Sequence, residues 1–186
     1  MGQTENQFRE TVQLARTVFE TKAQAYGCAW VVMRLPSVTD QLFIKAKRIR
    51  TLEETGVNKV GESIEQEWIG ILNYCIIALL LADRHLEGVQ PNWDTQAIPL
   101  TTLIQAYEAK IGLAWQTLLQ KNHDYGEAWR DMRLTSFTDL VLMKILRLKQ
   151  LEDNQVELNA EYLSTYIDII NYSVFALIQI QEKSKI

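Results

Sequence analysis

Residues 22–53 recur at 121–152 without a gap, with 15 identities in 32 positions. Both stretches open on one frame, K-x-x-x-Y-G-x-A-W, read first as KAQAYGCAW and then as KNHDYGEAW. After a one-residue deletion the match resumes, IGILNYCIIAL (69–79) against IDIINYSVFAL (167–177). A chain built twice from one unit has few folds open to it. Each unit must be one supersecondary element, and the two must cover each other's apolar faces.

Within each unit the periodicity is helical. Phe8, Val12, Ala15 and Phe19 recur at helical spacing and predict a first helix over about 5–25, with a counterpart over about 101–125. Gly27 and Gly126 interrupt the pattern. SVTD (37–40) and SFTD (136–139) predict the start of a second helix. There a serine oxygen can accept from an orphan backbone N–H, and an aspartate favours the positive helix end. Pro36 sharpens the first of these starts, and the second helices run to about Glu54 and Asp153. The third helices, about 61–86 and 157–182, are the most apolar and predict the centre of the core. Eight glycines and three prolines are few for 186 residues and favour long helices over turn-rich sheet. The expected fold is all-α, a six-helix bundle of two pseudo-twofold-related three-helix repeats. The first repeat would span 1–86, a linker 87–100 and the second repeat 101–186, in one compact domain.

Several function classes are disfavoured at once. A net charge of −4 speaks against nucleic-acid binding, which wants a basic surface. Cys28 and Cys75 lie in apolar surroundings without zinc spacing and read as buried thiols. The polar start MGQTENQFRE carries no apolar signal-peptide stretch. The longest apolar run, 68–82, falls short of the ~18–20 residues of a membrane span. No membrane association is expected, and the location expected is cytoplasmic.

The frame separates the two units by charge. Asp124, Glu127, Asp131 and Asp168 of the second unit stand where the first has Ala25, Cys28, Val32 and Gly70. If a helix continues through 124–131, the first three acids share a face. With Asp168 and Glu161 they are candidate ligands for Mg²⁺, which takes carboxylate oxygens together with waters and substrate phosphates. The alternative is that these acids are solvated helix faces. Lys45 and Arg48 recur as Lys144 and Arg147, three apart on one helix face. With Lys121, Arg34 and Arg133 they could hold phosphate oxygens, or else pair with acids inside the chain. Tyr125 and Trp129 could stack a base, as Tyr26 and Trp30 could, or pack in the core. Asn73 reads as a buried amide fixing register; for Asn171 a contact to base or ribose stays open beside that reading. Glu62, Glu65 and Glu67 could form a second acidic site or merely favour a helix start. His85 and His123 give no two-histidine metal site, and no glycine-rich phosphate loop is present.

The string KNHDYGEAW…MRxxSxTDL…MK…RxKQxEDN…IDIINYSVFAL resembles a bacterial family, the nucleotide modification associated domain, type one. The stretch FIKAKRIRTLEETGVNKVGESI…EWIGILNY looks like the degenerate N-terminal copy of its tandem members. The helical build is more weakly similar to MazG-like all-α nucleoside triphosphate pyrophosphohydrolases. Those bind Mg²⁺ through an E-E-x-x-E run and a following E-x-x-D, neither of which this chain has in clear form. These resemblances imply a Mg²⁺-dependent nucleotide-handling protein, most concretely a (d)NTP pyrophosphohydrolase. Asp124, Glu127, Asp131, Glu161 and Asp168 would then hold metal. Lys121, Arg133, Lys144 and Arg147 would neutralise phosphates, with Tyr125, Trp129 and Asn171 at the base or sugar. The alternative expectation is a non-catalytic helical module that binds a nucleotide, a small phosphorylated ligand or another protein. A homodimer is the expected assembly.

Overall fold

The computed structural model describes residues 2–88, 94 and 98–184. Six long helices carry the chain: α1 (Gly2–Tyr26), α2 (Leu35–Thr55), α3 (Ile64–Leu86), α4 (Leu100–Tyr125), α5 (Leu134–Asp153) and α6 (Ala160–Lys183). Short 3-10 turns, Ala29–Val32 and Ala128–Asp131, follow α1 and α4, and no strand occurs among the described residues. The expected linker falls largely on 89–93 and 95–97, outside the described residues.

The apolar third helices take the centre. Trp68, Ile71, Leu72, Cys75 and Ile76 of α3 and Tyr166, Ile169, Ile170 and Val174 of α6 are fully buried. α3 and α6 make the most extensive pairing, flanked by α2 on α3 and α5 on α6. By length and composition both central helices could cross a membrane, yet 67% of each apolar window is buried inside the fold. The helical extent beyond the apolar run of 68–82 brings them to that length; their burial is what a core helix shows. Cys28 and Cys75 are buried free thiols, and burial pushes both up from the ordinary thiol value.

The helix boundaries correct one expectation. α2 and α5 begin at Leu35 and Leu134, two residues before the serines expected to cap them, and neither Arg34 nor Arg133 caps through its side chain. Pro36 already has helical φ in the first turn, where its missing N–H costs nothing. The third helices do start on side-chain caps. Ser63 and Gln66 form a reciprocal capping box on α3, and Asn159 accepts from Tyr162 N on α6.

What the repeated S-x-T-D and its partner glutamate do is hold the two units together. Thr39 Oγ1 donates to Glu152 Oε1 at 2.6 Å, and Thr138 Oγ1 donates to Glu53 Oε1 at 2.8 Å. Asp40 pairs with Lys149, and Asp139 with Arg50 at 3.6 Å. Each bond is the pseudo-twofold image of the other, so α2 and α5 lie antiparallel. Burial raises both Glu53 and Glu152 above the ordinary carboxylate value of 4.5. A raised folded pKa stabilises the protonated form, so this interface should weaken as pH rises from about 4.5 through the folded values. A Glu53→Gln/Glu152→Gln variant keeps both acceptors uncharged. Chemical denaturation should find it less pH-sensitive than wild type between pH 4.5 and 7, and more stable at pH 7. An unchanged pH slope would contradict the assignment.

Candidate functional site

The K-x-x-x-Y-G-x-A-W frame makes a helix end and a return. Tyr26 and Tyr125 close α1 and α4, Gly27 and Gly126 turn the chain, and the tryptophans sit in the 3-10 turns. Gly126 has φ 61° and ψ −150°, a backbone region open essentially to glycine alone; Gly27 has φ 62°. The helix therefore does not continue through 124–131, and the shared carboxylate face expected there does not form.

The five candidate acids go to different places. Asp124 is exposed and sits beside His123, with Oδ1 3.0 Å from Nδ1. Glu127 accepts from Thr4 Oγ1 and from Arg130 Nε at 2.6 Å. The bond from Thr4, and then those of Arg130, hold the Glu127 carboxyl below its ordinary value. Arg130 also reaches Gln7 Oε1 at 2.7 Å, and Gln7 reaches Glu182 at 2.6 Å, so Glu127 belongs to a network tying α1 to α6. Asp131 is exposed. Glu161 receives Arg147 at 2.6 Å. Among the described residues no three His, Cys, Asp or Glu side chains gather as a metal shell. As placed, these acids do not fit a resident Mg²⁺.

Asp168 is the most informative of them. Its side chain is 15% exposed, and its two oxygens take Lys121 Nζ at 2.5 Å and Lys144 Nζ at 2.8 Å. The lysines come from α4 and α5, the carboxylate from α6. Three helices thus build one seat for an oxyanion, and the chain supplies the oxyanion itself. Two cations offset the cost of so little exposure.

The first unit solves the same problem one turn earlier. Glu67, 3% exposed, takes Lys45 Nζ at 3.2 Å and Arg48 Nη1, and Arg48 also lies 3.6 Å from Glu62. Burial alone would raise Glu67; Lys45 and the bonds from Lys45 and Arg48 outweigh it and hold the carboxyl below its ordinary value. Of the three glutamates weighed as a second acidic site, Glu62 and Glu67 share Arg48, while Glu65 lies in the first turn of α3.

The remaining candidates divide between surface and core. Tyr26 and Tyr125 are 70% and 74% exposed, one helical turn from Lys22 and Lys121. Arg133 is exposed at the start of α5. Trp129 is buried, stacked on Phe175 at 4.4 Å and 6° with the Arg130 guanidinium 4.3 Å from its ring, so its face is taken. Asn171 is buried and donates to Ala114 O at 3.1 Å, as Asn73 donates to Ala15 O at 2.9 Å. Each asparagine thus ties the third helix of its unit to the first.

A cavity of about 640 Å³ lies in the first unit between α1, the Ala29–Val32 turn, α2 and α3, and a more open one of about 650 Å³ lies along the outer side of α5, where Lys144 and Arg147 line it with Arg50 and Asp139. Lys22, Tyr26, Trp30, Lys45, Glu67 and Gly70 line the first together with apolar side chains. The sequence-based expectation put the site in the second unit, on its acids. The signal it passed over was Gly70 itself, the one residue of the apolar third helix with no side chain to fill space.

The sequence model of nucleotide modification associated domain 1 matches twice, over 22–81 and 121–180. Each match starts at the frame lysine and ends within the third helix of its unit. No curated protein and no solved structure matches, so the weaker likeness to MazG-like enzymes has no match of its own. With two copies covering most of its length, the chain belongs to the nucleotide modification associated domain 1 family.

Proposed function

We propose that the protein binds a phosphorylated nucleotide as a non-catalytic module. The observation that carries this reading is the convergence of Lys121 and Lys144 on two oxygens of one carboxylate. Lysines from two helices, aimed at a single pair of anionic oxygens, are a seat that suits a phosphoryl group equally well. The first unit repeats the pair as Lys22 and Lys45. An exposed tyrosine one turn from the first lysine in each unit offers a face to a base. Because the acids of the second unit are held apart, the reading carries no hydrolytic step. Any Mg²⁺ would arrive with the nucleotide's own phosphates.

Equilibrium dialysis against a panel of nucleoside and deoxynucleoside phosphates tests it, with Mg²⁺ and with EDTA, beside assays for released phosphate and pyrophosphate. Binding without product release is expected. A Lys22→Gln/Lys121→Gln variant should bind at least tenfold more weakly, the loss of one charge-assisted hydrogen bond of about 1.5–3 kcal/mol. Metal-dependent pyrophosphate release that Asp168→Ala abolishes would instead establish the hydrolase.

A further inference from the structure

Of the third-helix residues that line the first-unit cavity, Gln66, Glu67, Gly70 and Ile77 differ from their counterparts Ser164, Thr165, Asp168 and Phe175, and at the last two the first unit has the smaller side chain. Where α6 has Asp168, α3 has Gly70; where α6 has Phe175, α3 has Ile77. The two positions are seven apart and so share a helix face, about 10 Å from end to end at the helical rise. In the second unit Asp168 fills the lysine seat, and the Phe175 ring covers Trp129. In the first unit both fillings are missing, and Gly70, Ile77 and Trp30 all line the cavity.

The groups that those fillings would meet are still there. Lys22, counterpart of Lys121, is exposed and has no ion pair or hydrogen bond among the described residues. Lys45, counterpart of Lys144, lies folded over Gly70: a Cβ placed there would meet its Cε at 2.8 Å and its Cδ at 2.9 Å. Arg48 also holds Glu67, so Lys45 can turn toward a new anion without stranding that carboxylate. Trp30 is half-buried, and no aromatic ring lies against it among the described residues. Tyr74 also lines the cavity.

We infer that the first-unit cavity is the ligand seat, and that the second unit is its self-filled image. The ligand carries an anionic group where Asp168 has its carboxylate, and a flat ring where Phe175 has its own. A phosphorylated nucleotide has both ends, and a volume of about 640 Å³ is within the ordinary range for small-molecule sites. The inference deepens the nucleotide reading above and rests on it for the identity of the ligand. It reverses the expectation that the charged copy is the working one.

Two substitutions copy the second unit's fillings into the first. Gly70→Asp should pair with Lys22 and Lys45 as Asp168 does with Lys121 and Lys144; the atoms nearest the new Cβ belong to the flexible end of Lys45. Ile77→Phe should cover Trp30. Binding of nucleoside triphosphates, nucleoside monophosphates and inorganic pyrophosphate is measured by calorimetry, with thermal melts as the check on folding. The expected result is nucleotide binding weakened at least tenfold by Gly70→Asp, with a melting temperature equal to or above wild type. Ile77→Phe should weaken nucleotide binding while sparing pyrophosphate. Lys22→Gln, an exposed change, should weaken both ligands and leave the melt unmoved. Nucleotide binding indifferent to Gly70→Asp, Ile77→Phe and Lys22→Gln would overturn the inference and leave the nucleotide reading standing. Pyrophosphate binding lost in Gly70→Asp, with no nucleotide bound at all, would support the anion seat and overturn the nucleotide reading. No binding by any member of the panel would overturn both.

Discussion

Glu67→Ala should destabilise the protein by about 2–3 kcal/mol at neutral pH. Removing one partner of a fully buried ion pair costs about 3–5 kcal/mol, because the other charge stays buried and unmatched. Here Lys45 and Arg48 keep 25% and 20% of their side chains exposed, which places the cost below that range. Glu62 lies 3.6 Å from Arg48 and softens it further. The pH dependence has a definite sign. The Glu67 carboxyl is held below its ordinary value of 4.5, so its contribution is present above that value and fades as pH falls through the lowered one. Wild type and Glu67→Gln should therefore differ most near neutrality and converge in acid. Urea melts at a series of pH values read this directly, and a difference that grew in acid would contradict the pairing.

The second large effect separates two residues that look alike. Asn73→Ala should cost about 3 kcal/mol and Asn171→Ala about half that. Both side chains are buried and both hold a carbonyl of the first helix of their unit, Ala15 or Ala114. Asn73 also accepts from Tyr107 Oη at 2.9 Å, joining the units, so its loss strands a buried hydroxyl at a cost of about 1–3 kcal/mol. Asn171 Oδ1 has no such partner, because Phe8 stands in the first unit where Tyr107 stands in the second. At roughly 2–4 °C per kcal/mol for a chain of this size, the two variants should melt several degrees apart. Equal losses would show that the Tyr107 bond contributes little.

Much of the fold was legible in the repeat. Six helices, their order and the central place of α3 and α6 follow from periodicity and from the need of two very apolar helices to cover each other. The candidate site was less legible, for reasons that lie in particular residues. Asp124, Glu127 and Asp131 share a face only on an unbroken helix, and Gly126 breaks it in a conformation that no pattern of apolar residues reports. The loss of Asp168 in the first unit read as loss of a charged site. Comparing aligned positions hides that Glu67, one turn earlier on the same face, has taken over Lys45. The retained Thr39, Asp40 and Glu53 could be seen to matter from the duplication alone. That Thr39, Asp40 and Glu53 all bond across to the other unit needed the packing of α2 on α5.

The same comparison, made in three dimensions, turns the charge difference between the copies around. The unit without Asp168 has room beside Gly70; the unit with it has filled its own lysine seat. The most direct measurement is a ¹H–¹⁵N correlation titration of the intact chain with a deoxynucleoside triphosphate. The account predicts that the largest shifts fall on the amides of Gly27, Trp30 and residues 69–71, with saturable binding at one site. Shifts confined to 121–131 and 167–169 would contradict it and return the ligand to the second unit.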